Sequence, residues 1–481
     1  MSNELSHPLV DYPCLMVLNE IQSIVGKDNV SVRDVDKLAY SCDYYWVPRV
    51  WIDRGRTPTF PDVIVHPERA QQISEVLKVA NQYRIPVVPW GGGSGSQGGA
   101  LPIQGGIILD LKKLDKILDI NPESMIYTAE CGIIHQILEW ELNKHGYSTM
   151  HLPASSACAT LGGYLAHRGS GVVSSKYGKI EDLIVSMEVV LPDGTIINTP
   201  SVPRHAIGPD LNQLFIGSEG TYGVITKATL KMFPLPEKRI FRAFMFEDMA
   251  KAIEAGRILM TTGITPSVLR LYDPVETRER LKKILGIEKQ GAYMVYSFDG
   301  PRELVDLNAK LAYDIFSRLA QEDWGPELGE RWWEKRFDFY FPPYCLDLPK
   351  AFGTMDTVAA YDKILDVYYG MKEAVESTFP GVTFIAHFSH WYHWGCMMYS
   401  RFILEEVPED PVEAVTLYNE IWDVGIEAAL ALGGLINEHH GIGLKLGRYM
   451  KDQYGDAFKV IQGIKDFLDP NHIMNPGKLG L

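Results

Sequence analysis

The chain has 481 residues, 46% hydrophobic and 22% charged, the balance of an ordinary globular protein with room for two or three domains. A net charge of −15 and a pI near 5.4 argue against nucleic acid or an anionic membrane surface as the main partner. The most apolar stretch, 426–436, falls short of the roughly 18 residues that mark a membrane span.

Six widely spaced cysteines without a C-x-x-C pair indicate neither a zinc ribbon nor a disulfide framework. Scattered reduced thiols and a start without a basic, then apolar, leader predict a cytoplasmic protein. The end, "KLGL", is not a peroxisomal address.

Residues 15–60 read as a helix followed by an irregular aromatic stretch, "YSCDYYWVPRVWIDRG". "DVIVHP" is a strand, and 68–84 is an amphipathic helix with Ile73, Val76, Leu77 and Ala80 on its apolar face. Strand 85–90 leads into "GGGSGSQGGALP", and strand 107–111 follows. A second α/β unit takes in strand "MIYTAECGI", helix 134–145, the loop "HLPASSACATLGGYLAHRGSG", two strands around Pro192-Asp193-Gly194, and a strand in "GTYGVITKATLKMFPLP". Pro234 and Pro236 mark a boundary. Residues 237–430 mix helices and strands with an aromatic run from Trp332 to Tyr344. It reads by default as core, and alternatively as the lining of an apolar pocket. Helix 423–432, the loop "NEHHGIGLK", helix 457–468 and "DPNHIMNPGKLGL" complete the chain.

Six glycines stand between Gly91 and Ala100. Gly93-Ser94-Gly95-Ser96-Gln97-Gly98 spells the dinucleotide fingerprint, which requires a helix to open at its last glycine. Pro102, Gly105 and Gly106 forbid one, so the unit is strand, glycine loop, strand. Bare backbone N–H groups can form an anion-binding concavity without a helix. Two further clusters, "LGGYLAHRGSG" and "GSEGTYGVI", point with it to loops wrapped round one extended, phosphate-containing ligand.

"INEHHGIGLK" presents Glu438, His439 and His440 before two glycines. Histidine is the usual base near neutral pH, and adjacent loop residues are expected to point apart. In "AHFSHWYHWGCMMYS", strand alternation places His390 and Tyr392 on one face and His387, Ser389 and His393 on the other.

The set "P-D-x-I-V-x-P" at 61–67, the glycine loop, the loop from Pro153 to Gly163, "GSEGTYGVI" and "DPNHIMNPGKL" resembles the FAD-linked oxidases with the vanillyl-alcohol-oxidase type of flavin domain, over nearly the whole chain. The resemblance implies that Gly91, Gly92, Gly93, Ser94, Gly95 and Ser96 hold the FAD diphosphate. It implies that Pro153, Ser156, Thr160, Gly162, Gly163 and Gly169 line the flavin, and that Glu219, Gly220, Gly223 and Ile225 touch the adenosine half. Asn475 lies in the matching tail. Several members attach FAD through a histidine of the first loop; here Gln97 and no histidine stands there, which points to noncovalent FAD.

Two branches compete. The loop and the "NPGK" tail resemble D-2-hydroxyacid dehydrogenases. Arg270 in "TPSVLRLYD", Tyr392 in "H-x-x-Y-x-x-G" and the His–His–Gly loop resemble alkylglycerone-phosphate synthases, with Glu438 replacing a histidine. Zinc on His387, His390 and Glu438 is the metal alternative, although the H-x-G-D-G-N-x-H pattern of the dehydrogenases is missing.

The expected fold is α+β: a two-subdomain α/β FAD-binding domain at 1–236, a substrate domain with an antiparallel sheet at 237–430, and a segment at 431–481 that returns to the flavin. The expected function is FAD-dependent removal of hydride from a hydroxyl-bearing carbon of an alcohol or 2-hydroxy acid. His440 would be the base, with His439 supporting and Tyr392 and Arg270 orienting the substrate. The alternatives are a synthase with no net redox and a non-catalytic flavin-binding subunit. Expected partners are a small-molecule substrate and an unidentified electron acceptor; a homodimer is an admissible assembly.

Overall fold

The structure is a computed structural model that describes residues 14–57, 59–286, 288–338 and 350–481. The aromatic positions expected at 339–344 lie outside the described residues.

Helix α1 (Cys14–Val25) is followed by α2 (Trp46–Asp53), where the sequence reading expected irregular chain. Pro48 falls in the first turn of α2, where its missing N–H costs nothing, and Trp46 and Val50 turn inward at helical spacing. A small sheet joins β1 (Val63–Val65), β2 (Val87–Trp90) and β3 (Ile107–Asp110) in parallel in the order β1-β3-β2, and the two-residue strand Val30–Ser31 pairs antiparallel with the outer edge of β1. Helix α3 (Ala70–Tyr83) buries Ile73, Val76, Leu77 and Ala80 against it, as the periodicity predicts. No helix intervenes between β2 and β3, so the glycine loop links two hydrogen-bonded neighbours directly.

A second, antiparallel sheet has the order β4-β5-β8-β6-β7. Its strands are β4 (Ile117–Asn121), β5 (Ile126–Glu130), β6 (Ile184–Val190), β7 (Ile196–Asn198) and β8 (Val224–Lys231). Helices α4 (His135–Lys144) and α5 (Leu161–Ala166) stand between β5 and β6.

The third sheet has seven strands, all antiparallel, in the order β12-β9-β11-β10-β14-β15-β13. They are β9 (Lys238–Phe246), β10 (Val268–Tyr272), β11 (Ala292–Gly300), β12 (Glu322–Trp324), β13 (Ala351–Ala360), β14 (Val382–Trp391) and β15 (Gly395–Leu404). Helices α6 (Met249–Thr261), α7 (Arg302–Leu319), α8 (Gly325–Glu334), α9 (Ile364–Thr378) and α10 (Pro411–Ala431) accompany it. One core runs through Met355, Val367, Met371, Phe402, Trp422 and Ile426. Helix α10 starts twelve residues earlier than the expected 423, because Asp410 caps the N–H groups of Val412 and Glu413 and Pro411 opens the first turn.

The segment after α11 (Phe458–Leu468) runs back to the first sheet. Met474 pairs with Val87 in a parallel bridge, and Asn475 N donates to Val87 O. No helix among the described residues is long and apolar enough to cross a membrane.

Candidate functional site

Three cavities adjoin one another. The first, about 930 Å³, is walled by Gly91, Gly92, Gly93, Ser94 and Gly95, by Thr160, Gly162 and Gly163, and by Glu219, Gly220, Gly223, Ile225 and His440. All three glycine clusters of the sequence thus meet round one space. The second, about 1400 Å³, shares the stretch Gly92–Gly95 and His440 and adds Ser96, Pro153, Gly169, Thr354, Tyr399, Arg401 and His439. The third, about 580 Å³, holds Arg270, Arg336, Trp332, His387, His390 and Ser389. It shares Ala154, Ser170, Tyr399 and His439 with the second.

Loop contact explains the glycines better than flexibility does. A Cβ on Gly92 would stand 2.0 Å from Cys158 O, so the first and second loops close on each other only over bare backbone. Gly95 has nothing within 4 Å of that position and faces open space. Gly98 differs: it has φ +74° and packs under Tyr45, Leu101 and Leu444, so it shapes the loop rather than lining the cavity.

Register across the third sheet builds the opposite wall. Tyr272, His387, Tyr399 and Asp356 are successive partners across β10, β14, β15 and β13, and so share one face. Tyr399 stacks on His387 with ring centroids 4.6 Å apart, and its ring lies 5.0 Å from that of His440. His387 is locked between charges: Arg270 donates to its Nε2 at 2.7 Å, so Nδ1 carries the proton toward Glu276, 3.2 Å away. Burial, and then the Arg270 charge, hold its pKa well below the ordinary value. Glu276 also pairs with Arg401 on the flank of the second cavity.

The loop at 437–443 is organised by carboxylates. Asp356, fully buried, accepts from Asn437 Nδ2 at 2.9 Å, from Glu438 N at 2.9 Å, from His439 N at 3.0 Å and from His440 Nδ1 at 2.7 Å. Glu219 accepts from Ile442 N and, at 2.8 Å, from Gly443 N. A Cβ on Gly443 would meet Gln97 O at 2.1 Å, so this loop, too, is pressed onto the glycine cradle.

The two histidines therefore do not point apart as expected. Both turn toward Asp356, with ring centroids 4.0 Å apart. Their electrostatics separate them instead. Burial lowers the pKa of His440 against the pull of Asp356. Burial also opposes charge on His439, but Asp356 and Glu438 outweigh it and push that pKa up to about 9. Burial thus favours the neutral form of His440, while the two carboxylates favour the charged form of His439.

Other expected residues fall elsewhere. Tyr392 lines none of these three cavities; its hydroxyl donates to Glu438 Oε1 just beyond the end of β14. Tyr399, which no motif of the sequence marks, lines both the second and the third cavity. The strand alternation expected for the histidines fails because the β14–β15 register shifts between Phe388 and Trp391. His387, Ser389 and His390 all line the third cavity, while His393 is exposed at the hairpin tip. Ser156 spends its hydroxyl on Pro153 O and lines none of the cavities. Asn475 braces the cradle, donating to Gly99 O and Glu219 O. The metal alternative changes as well. His387 belongs with Glu276, and the groupings with ligand-like spacing are His390–Glu438–His439 and Asp356–His439–His440.

The first two cavities share the backbone of Gly92–Gly95, an arrangement that suits a dinucleotide. Buried polar atoms there have no partner among the described residues: Ser96 Oγ, both amide atoms of Gln97 and both ring nitrogens of His151. The expected FAD fits these residues.

Comparison with known proteins agrees. The FAD binding domain family matches residues 61–200, and the C-terminal domain family of FAD linked oxidases matches 235–479. The FAD-linked oxidoreductase YgcU of Escherichia coli K12, described as uncharacterized, is 30% identical over 96% of this chain and 98% of its own. The mitochondrial D-lactate dehydrogenase [cytochrome] of Arabidopsis thaliana is 28% identical over 87% of this chain and 73% of its own. A solved alkyldihydroxyacetonephosphate synthase superposes with a TM-score of 0.81 at 26% identity, over 98% of this chain and 87% of that one. The chain is an enzyme of the FAD-linked oxidase family, with the vanillyl-alcohol-oxidase type of fold and FAD as its cofactor.

Proposed function

We propose that the protein removes a hydride from the hydroxyl-bearing carbon of a small anionic alcohol, a 2-hydroxy acid fitting best. The observation that carries this reading is the third cavity, where two guanidinium groups and neutral histidines face a space that opens at Tyr399 and His439 onto the flavin side. Arg270 is aimed by His387. The Arg336 guanidinium lies over Trp333 and Phe337, 3.7 and 4.3 Å from their ring centroids, and its Nε has no partner among the described residues. Such a pair suits a carboxylate or phosphate, which arginine binds in forked geometry.

FAD, when bound, supplies the two-electron acceptor. The residues supply the rest. Arg270 and Arg336 hold the anion and so orient the alcohol. His440, neutral and fixed through Nδ1 on Asp356, takes the hydroxyl proton at Nε2. His439, charged, favours the oxyanion that forms as this proton leaves. Noncovalent attachment belongs to the same reading, because the cradle offers no histidine at Gln97. So does a base supplied by the segment at 431–481 to a substrate held by 237–430.

A synthase-type reaction without net oxidation is the second reading, favoured by the superposition on the alkyldihydroxyacetonephosphate synthase. Anaerobic bleaching of the FAD holoprotein by a panel of D- and L-2-hydroxy acids separates the two. Bleaching by at least one acid supports oxidation. No bleaching, together with exchange of acyl for alkyl groups on acyl-dihydroxyacetone phosphate, replaces it with the synthase.

A further inference from the structure

His390, Glu438 and His439 each bring one ligand atom within 4.8 Å of the others, two imidazoles and a carboxylate in the donor set of a zinc site. His390 Nδ1 is 3.1 Å and His439 Nδ1 2.8 Å from the same oxygen, Glu438 Oε2. The other side of the carboxylate is already taken. Lys179 Nζ stands 3.1 Å from Glu438 Oε1 and donates to Glu438 O at 2.6 Å, and the Tyr392 hydroxyl donates to Oε1. Lys179 is itself buried, and its only other carboxylate contact among the described residues is Glu181 at 3.5 Å.

We infer that Lys179 is the permanent cation of this cluster, beside the titratable His439, and that its ammonium keeps divalent metal off His390, Glu438 and His439. The physical argument is local charge. Glu438 is enclosed and needs a counter-charge to stay ionised. A divalent ion between the imidazoles and Oε2 would lie next to a fixed ammonium on the same carboxylate, with little water to screen the two. With the ammonium in place, the Glu438 carboxylate supports the His439–His440 loop through its hydrogen bond to His390 and its ion pair with His439. Lys179 is thus a positioning residue, reaching from the FAD-binding part to the segment that carries both histidines. This holds whichever reaction the enzyme performs, since it concerns the charge of the loop and not the fate of the substrate.

The test is zinc retention by the FAD holoprotein. Wild type, His390→Ala, Lys179→Arg, Lys179→Met and the double variant Lys179→Met/His390→Ala are incubated with zinc sulfate, desalted, and analysed for zinc and FAD by elemental analysis and absorbance. Wild type and Lys179→Arg are expected to retain almost no zinc. Lys179→Met is expected to retain about one ion per chain, on three protein ligands with water in the open fourth position, and the double variant to lose it. Zinc retained by wild type and lost in His390→Ala overturns the inference, and this arm needs no Lys179 variant to fold. So does a Lys179→Met protein that keeps full FAD content and binds no zinc. A merely structural role for Lys179 would move stability and leave metal content flat in every variant.

Discussion

Asp356 Oδ1 and His440 Nδ1 lie 2.7 Å apart, and three further N–H groups of the same loop converge on that one carboxylate. This strand aspartate sets the orientation and proton position of the proposed base. Replacing it with asparagine keeps the shape but leaves one acceptor oxygen for four donors. Asp356→Asn is expected to retain FAD and slow anaerobic flavin reduction by about 10²-fold, the range for a misplaced general base. Stopped-flow reduction at the wild-type rate would remove Asp356 from the mechanism.

The histidine pair gives the reduction rate a bell-shaped pH profile. His440 acts only when neutral, and burial holds its pKa below the ordinary 6.5, so the rate falls as pH drops through that lower value. His439 acts as a cation, with its pKa pushed up to about 9 by Asp356 and Glu438 against burial, so the rate falls again as pH rises through about 9. The same raised pKa adds stability that is complete below the unfolded value near 6.5 and is lost as pH climbs through about 9. His439→Gln should erase the alkaline limb and keep the acid limb. An unchanged alkaline limb in that variant assigns it to another group.

Gly95 and Gly98 should respond differently to valine. At Gly95 the new side chain enters open space beside the cradle, so FAD content falls while the melting temperature of the apoprotein holds. At Gly98, φ is +74° and Tyr45 stands 3.0 Å from the added Cβ, so the fold itself loses at least 1–2 kcal/mol, roughly the cost of a left-handed L-residue. Equal apoprotein stabilities for the two variants would contradict this division.

Arg336 tests the anion pocket. Arg336→Met should raise the KM for a bleaching substrate by about 10- to 100-fold, the range for one charged hydrogen bond, with a smaller change in kcat. An unchanged KM would place the substrate anion elsewhere.

Much of this site is legible in the sequence where one short segment carries the whole signal. The glycine loop between two strands, the Glu438-His439-His440 run and the rejection of a helix after Gly98 each follow from neighbouring residues. What escapes is set by pairing across strands. Asp356 is a lone acid in the apolar run "AFGTMDTVAA", and nothing within that run says that it faces a loop 80 residues on. Tyr399 and Tyr392 both follow the histidines, and only the register shift after Phe388 decides which of them reaches the cavities. The pairing of His387 with Glu276 and Arg270 likewise joins residues far apart in the chain. Helix α2 is hidden by its aromatics; the burial of Trp46 against Tyr418 outweighs its modest helix propensity.

The bridge between Val87 and Met474, with Asn475 reaching back 376 positions to Gly99, bears on how the enzyme is made. The strand that launches the cradle emerges early in synthesis, yet its partner at 473–475 emerges only after both other sheets have been translated. A nascent chain therefore carries a half-built dinucleotide pocket on the ribosome, its glycine loop unbraced. Cofactor capture should be a post-translational event. Trimming the chain at 472 should yield a protein that folds its seven-stranded sheet and remains colourless.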